Sequence, residues 1–185
     1  MSTIKTNQIQ TITGNPILNS SGSIIQTVYV RSDAFTTFSA AASGNGTTVS
    51  ALSASITPTS ATNRIICNWV ICGEVGSASD CVWLIHRNGA LITTAGEEGR
   101  NSVSNNRWVG FAPTPYEPDF NSTPFSLSIQ YSQIAGTTST ITYSPAIRSS
   151  GASVQTFYLN RPIGSAGGDN MENMVSTCIL YEVVV

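Results

Sequence analysis

Arg64-Ile65-Ile66-Cys67-Asn68-Trp69-Val70-Ile71-Cys72-Gly73 reads as a β-strand with no polar side. Side chains alternate across a strand, so Ile65, Cys67, Trp69 and Ile71 share one face while Ile66, Asn68, Val70 and Cys72 share the other. Both faces are mainly apolar. One of them suits a sandwich interior, and the other is expected to meet something else, for which a neighbouring subunit is the natural candidate.

The same period of two recurs on either side of this run, and no stretch longer than a turn keeps the 3.6-residue period of a helix. Strands are predicted at residues 25–31, 36–38, 48–57, 64–73, 81–87, 90–94, 107–111, 125–131, 138–149, 154–160 and 175–184. Between 81–87 and 90–94 lies Asn88-Gly89, the pair best able to supply two positive φ angles to a tight type I′ hairpin. Pro58 cannot donate to a ladder and is predicted to end its strand in a reversal before Arg64. The chain is all-β.

Its two ends pose separate problems. Val175-Ser176-Thr177-Cys178-Ile179-Leu180-Tyr181-Glu182-Val183-Val184-Val185 would be an aggregation-prone edge unless it paired centrally and packed against partners. Residues 1–26 are too polar to fold alone, yet they carry Ile4, Ile9, Ile12, Ile17, Leu18, Ile24 and Ile25 at irregular spacings. They lack the basic start, apolar run and cleavage site of a secretory signal, so they read as an extended arm, 1–26, that docks on another chain ahead of one domain, 27–185.

Composition narrows the function classes. Of 185 residues 41% are apolar and 10% charged, which suits one domain whose surface is wetted by hydroxyls and amides. Ser and Thr together make up about a quarter of the chain, a bias toward strands and turns. A net charge of −2 with only eight Lys and Arg argues against a phosphate-binding surface, so no nucleic-acid partner is implied. No apolar stretch approaches the roughly 20 residues that a membrane-spanning helix needs, so no membrane insertion is expected.

Chemistry-bearing residues are sparse. The four cysteines, Cys67, Cys72, Cys81 and Cys178, are expected to be thiols in a reducing cytoplasm, and Cys67 and Cys72 point to opposite faces of one strand. A zinc site needs close cysteine pairs, usually with histidine, and His86 is the only histidine. No metal or other cofactor is expected. There is no Gly-x-Ser-x-Gly elbow and no visible nucleophile–base pairing, so His86 reads as an imidazole satisfied in or beside the core. The carboxylate pairs Glu97-Glu98, Glu117-Asp119 and Asp169-Glu172 fall in predicted loops, where acids are usually just solvated. No catalytic residue is assigned, and the chain is read as a non-enzyme.

Two loops stand out. Residues 108–121 combine Trp108, Phe111, Tyr116 and Phe120 with three prolines, which stiffen a loop and lower the entropy cost of presenting aromatic rings to a sugar or a protein. The plainer alternative is that these rings plug a sandwich end or a subunit seam. Residues 162–173 are glycine-rich and read either as a tip loop or as a long connection.

"STIKTNQIQTITGNPILNSSGSIIQTVYV" resembles the amino-terminal module of many tail-fibre and other virion proteins of tailed phages, particularly phages of cyanobacteria. "AFTTFSAAASGNGTTVSALSASITPTSATNRIICNWVI", "WLIHRNGALITTAGEEG", "YSPAIRSSGASVQTFYLNRP" and "STCILYEV" then follow in the order of that family's carboxy-terminal jelly roll, which is similar to C1q and tumour-necrosis-factor domains. These motifs mark strands and turns rather than chemistry. The four cysteines and the insert at 108–125 depart from the pattern. The resemblance implies an antiparallel jelly-roll sandwich, a homotrimer, and a last strand at the threefold axis, with Cys178, Leu180, Tyr181 and Val183 as axis candidates. It also implies a virion location after assembly in the host bacterial cytoplasm, with the arm gripping other virion proteins. The expected function is a short tail fibre or fibre tip that binds a host surface glycan or protein. The alternative is a capsid decoration or head-fibre protein that stabilises or displays on the shell.

Overall fold

A computed structural model describes residues 20–76, 81–92, 110–115, 123–149, 151, 153–164 and 172–185. Twelve strands follow in chain order: β1 (Ile24–Ser32), β2 (Thr37–Ala40), β3 (Thr47–Thr48), β4 (Ala54–Ile56), β5 (Arg64–Val75), β6 (Cys81–Arg87), β7 (Ala90–Leu91), β8 (Ala112–Pro113), β9 (Phe125–Ile134), β10 (Ile141–Ser149), β11 (Gln155–Leu159) and β12 (Ser176–Val183). The one helical element among the described residues is a three-residue 3₁₀ turn, Ser50–Leu52.

Every pairing between these strands is antiparallel, and they form two sheets. The first is ordered β1-β12-β5-β11-β2, with β9 on the opposite edge of β5. β5 is long enough to hold β12 along Arg64–Val70 and β11 along Gly73–Val75 on the same edge. Gly73 marks that handover: a Cβ there would lie 2.3 Å from Tyr158 O and 2.6 Å from a Phe157 ring carbon, so only glycine fits. In the second sheet β10 carries β3 and β4 on one edge and β6 on the other, and β6 in turn carries β7 and β8.

The sheets pack face to face. Ile65, Cys67, Trp69 and Ile71 are all buried, as their shared parity predicts, and they join one core with Trp83, Ile85, Tyr143, Ile147, Phe157 and Leu180. Trp83 meets Phe157 edge-on, with ring centroids 5.0 Å apart. The Trp69 indole N–H donates to Leu52 O at 3.1 Å, whereas that of Trp83 meets no acceptor among the described residues.

Asn88 and Gly89 both adopt positive φ, 52° and 78°, and register His86 with Leu91 and Arg87 with Ala90, the hairpin expected from that dipeptide. Pro58 is followed by a turn closed by Asn63 N–H on Ser60 O, which delivers the chain to β5. Two predicted strands differ. The single strand over 48–57 is broken, because Leu52 turns inward to full burial and its turn closes through Leu52 N–H on Val49 O and Ser53 N–H on Ser50 O. Of the strand expected at 107–111, residues 107–109 lie outside the described part, Gly110 and Phe111 are not in a strand, and a short strand follows at Ala112–Pro113.

Asn160 ends β11 at φ 63° and ties the chain together at that point. Its side-chain nitrogen donates to Ser32 O (2.9 Å) and Ala34 O (3.0 Å), and its oxygen accepts from Ser176 Oγ at 2.6 Å. One buried amide thereby fixes the end of β1 and the start of β12.

Candidate functional site

The outward face of the first sheet is where a single chain leaves most unexplained. Cross-strand register builds three rows on it: Thr27, Tyr181, Ile66, Ser132; Tyr29, Ile179, Asn68, Gln130; and Arg31, Thr177, Val70, Ser128. Three of the four strands contribute apolar or aromatic side chains, and β9 contributes hydroxyls and amides. Tyr29 is 57% exposed and Val70 41%, so the patch faces solvent within one chain, and Ile134, at the end of β9 beyond these rows, is 40% exposed. These rows contain no carboxylate. Arg31 is ion-paired with Asp33 at 2.6 Å, and Arg64, at the end of β5, donates to Ser132 Oγ at 3.2 Å.

The axis candidates divide by parity. Cys178 and Leu180 are fully buried in the chain's own core, which corrects their assignment to a subunit axis. A strand cannot present 178 and 180 to the side that 181 and 183 face. Tyr181 and Val183 are the two that look outward, together with Thr177 and Ile179, all four partly buried.

The arm assignment also needs correction at its end. Ile24 and Ile25 belong to β1, where Ile24 pairs with Val183 and Ile25 lies at a bulge before Gln26, so the domain begins inside the segment assigned to the arm. Ile4, Ile9, Ile12, Ile17 and Leu18 lie outside the described residues, as do Trp108, Tyr116 and Phe120 of the aromatic loop. The fourth ring of that loop, Phe111, packs against the core edge-on to Tyr131, with centroids 5.4 Å apart, and is a core-rim residue rather than a displayed one.

His86 is 4% exposed, with Nε2 2.9 Å from Asn45 O and Nδ1 2.8 Å from Thr48 Oγ1. A carbonyl only accepts, so Nε2 donates its N–H to Asn45 O, and Nδ1 pairs with the threonine hydroxyl. This is the satisfied imidazole expected of the sequence. Of the carboxylate pairs, Glu97, Glu98, Glu117, Asp119 and Asp169 lie outside the described residues, and Glu172 is exposed. Among the described residues no three His, Cys, Asp or Glu converge as metal ligands, and no helix is long and apolar enough to cross a membrane.

All four cysteines are buried thiols. Cys67 and Cys178 sit diagonally on neighbouring strands in the core, while Cys72 lies on the opposite face beside Ser126. Burial pushes the Cys178 thiol up to about 12, and burial with the neighbouring Cys178 raises Cys67 well above its ordinary value. Neither thiol is expected to react with a maleimide in the folded protein at pH 8, and both should react once guanidinium unfolds it. Rapid labelling of either in the native state, read by peptide mass spectrometry, would contradict that burial.

Sequence reasoning missed Glu182, a fully buried acid on the inward face of β12. Its signal was a lone charge inside an apolar terminal strand. No protein-family model matches the chain, and no curated protein is significantly similar to it in sequence.

Proposed function

We propose that the chain is a homotrimeric structural protein of a tailed-phage virion, a short tail fibre or fibre tip with a jelly-roll head and an amino-terminal arm that grips other virion proteins. The observation that carries this reading is the outward face of the first sheet, where Tyr29, Ile66, Val70, Ile179 and Tyr181 gather without a covering element among the described residues. Packing of two further copies on that face, with β12 nearest the threefold axis, removes it from water. Supporting the jelly roll is the strand order, β1, β12, β5, β9 in one sheet, with β11 and β2 continuing from the far end of β5, and β3/β4, β10, β6, β7/β8 in the other, with the chain crossing repeatedly between sheets. The resemblance of residues 2–30 to virion arms supports the virion location, and Trp108, Tyr116 and Phe120 are the proposed receptor contacts, toward a host surface glycan or protein.

Capsid decoration is the second reading, because β1 starts at Ile24, within a few residues of the segment read as the arm, and the sequence before it carries no repeats or heptads. Deleting residues 1–19 is expected to leave a folded trimer that no longer joins particles. Attachment of the truncated protein to particles lacking the full chain would remove the anchor role. Copies per particle, counted by quantitative mass spectrometry, separate the two readings: a few trimers place the protein in the tail, dozens place it on the shell.

A further inference from the structure

The strongest unassigned feature is the setting of Glu182. Its Oε1 accepts from Thr59 N–H (2.7 Å), Thr59 Oγ1–H (2.7 Å), Asn63 Nδ2–H (2.7 Å) and, more weakly, Ser60 N–H (3.4 Å). Its Oε2 lies 3.2 Å from the Gln26 side-chain amide, which is oriented with nitrogen toward both Glu182 and Thr57 O. Three parts of the chain therefore converge on one carboxylate: β1 through Gln26, the turn before β5 through Thr59, Ser60 and Asn63, and β12 itself.

None of these partners is charged. Gln26 and residues 58–63 carry no ionisable group, and Ile65, opposite Glu182 on β5, is apolar. Tyr181 faces the other side of β12. The nearby cations are committed elsewhere, Arg64 to Ser132 Oγ and Arg87 to Ala135 O. Among the described residues the charge is held by dipoles alone, and those donors fit an anion and not a neutral acid.

We propose that Glu182 is an acid-responsive latch, whose carboxylate ties β1 and the turn at residues 58–63 to the last strand and whose protonation releases both ahead of global unfolding. Burial opposes the charge, but the hydrogen bonds from Asn63, Thr59 and Ser60 outweigh it and hold the carboxyl below its ordinary value of 4.5. A depressed folded pKa contributes stability that is present above the ordinary value and lost as pH falls through the lower, folded one. The latch is thus closed near neutrality and opens only in acid. The latch rests on contacts within one chain and not on the proposed virion role.

Hydrogen exchange on the full chain, with opening free energies corrected for the pH dependence of intrinsic rates, tests this directly. In the wild type, protection at residues 58–63 and in β1 should fall on acidification to pH 3 while β6 and β10 keep theirs. E182Q should show weaker protection of the same segments at pH 7 and about half or less of the wild-type pH response. N63A removes one donor from the charged form and leaves the acid in place, so it should move the release to higher pH. Parallel loss of protection in all strands, a wild-type pH response in E182Q, or no upward movement in N63A would each overturn the latch. Should E182Q fail to fold, the direction of the N63A shift still decides.

Discussion

Leu180→Asp is expected to abolish folding. Leu180 is fully buried, registers with Val28 on β1 and Cys67 on β5, and belongs to the core shared by the two sheets. Truncating such a leucine costs about 2–5 kcal/mol by itself, and the new carboxylate must lose its water with no donor placed to receive it. Together these consume most or all of the roughly 5–15 kcal/mol that holds a domain of this kind together. Circular dichroism and a urea titration should find no cooperative transition. A soluble, cooperatively folding variant would show that β12 is turned the other way.

Tyr181→Glu, one residue further on, should behave differently. Tyr181 looks outward beside Thr27 and Ile66, so within one chain the change should cost about 1 kcal/mol or less and the fold should survive. In the proposed trimer the same change would bring three carboxylates onto a face whose rows carry no acid. Like charges placed together at an interface should weaken it by about 3 kcal/mol, roughly a hundredfold in dissociation. Size-exclusion chromatography should recover folded monomer. A trimer undisturbed by Tyr181→Glu would mean that β12 does not face a neighbour.

These two neighbours also show how far the sequence carried. Strand positions were legible where alternation and turn chemistry agreed: Ile65, Cys67, Trp69 and Ile71 are the inward set of β5, and Asn88-Gly89 makes its hairpin. In β12 both parities are apolar, so alternation alone could not choose a face. Glu182 made the choice harder, since an acid is ordinarily read as facing water, whereas here five polar groups drawn from Thr59, Ser60, Asn63 and Gln26 receive it on the buried side. Those donors lie more than a hundred residues away in sequence, and no local pattern reports them. Phe111 misled for a related reason. Proline and aromatic content argued for display, but its ring is claimed by Tyr131, a contact set by tertiary packing. Asn160 carries no local mark of its role either, since the groups its amide joins lie at the end of β1, just beyond it, and at the start of β12.

In the proposed trimer, copies of the chain bury the outward face of the first sheet against one another. Light scattering of the purified wild-type protein at micromolar concentration reads whether they do. A mass of about three times 19.5 kDa is expected, with dissociation and loss of fold coinciding on heating. A stable, fully folded species of one times that mass at the same concentration would contradict it.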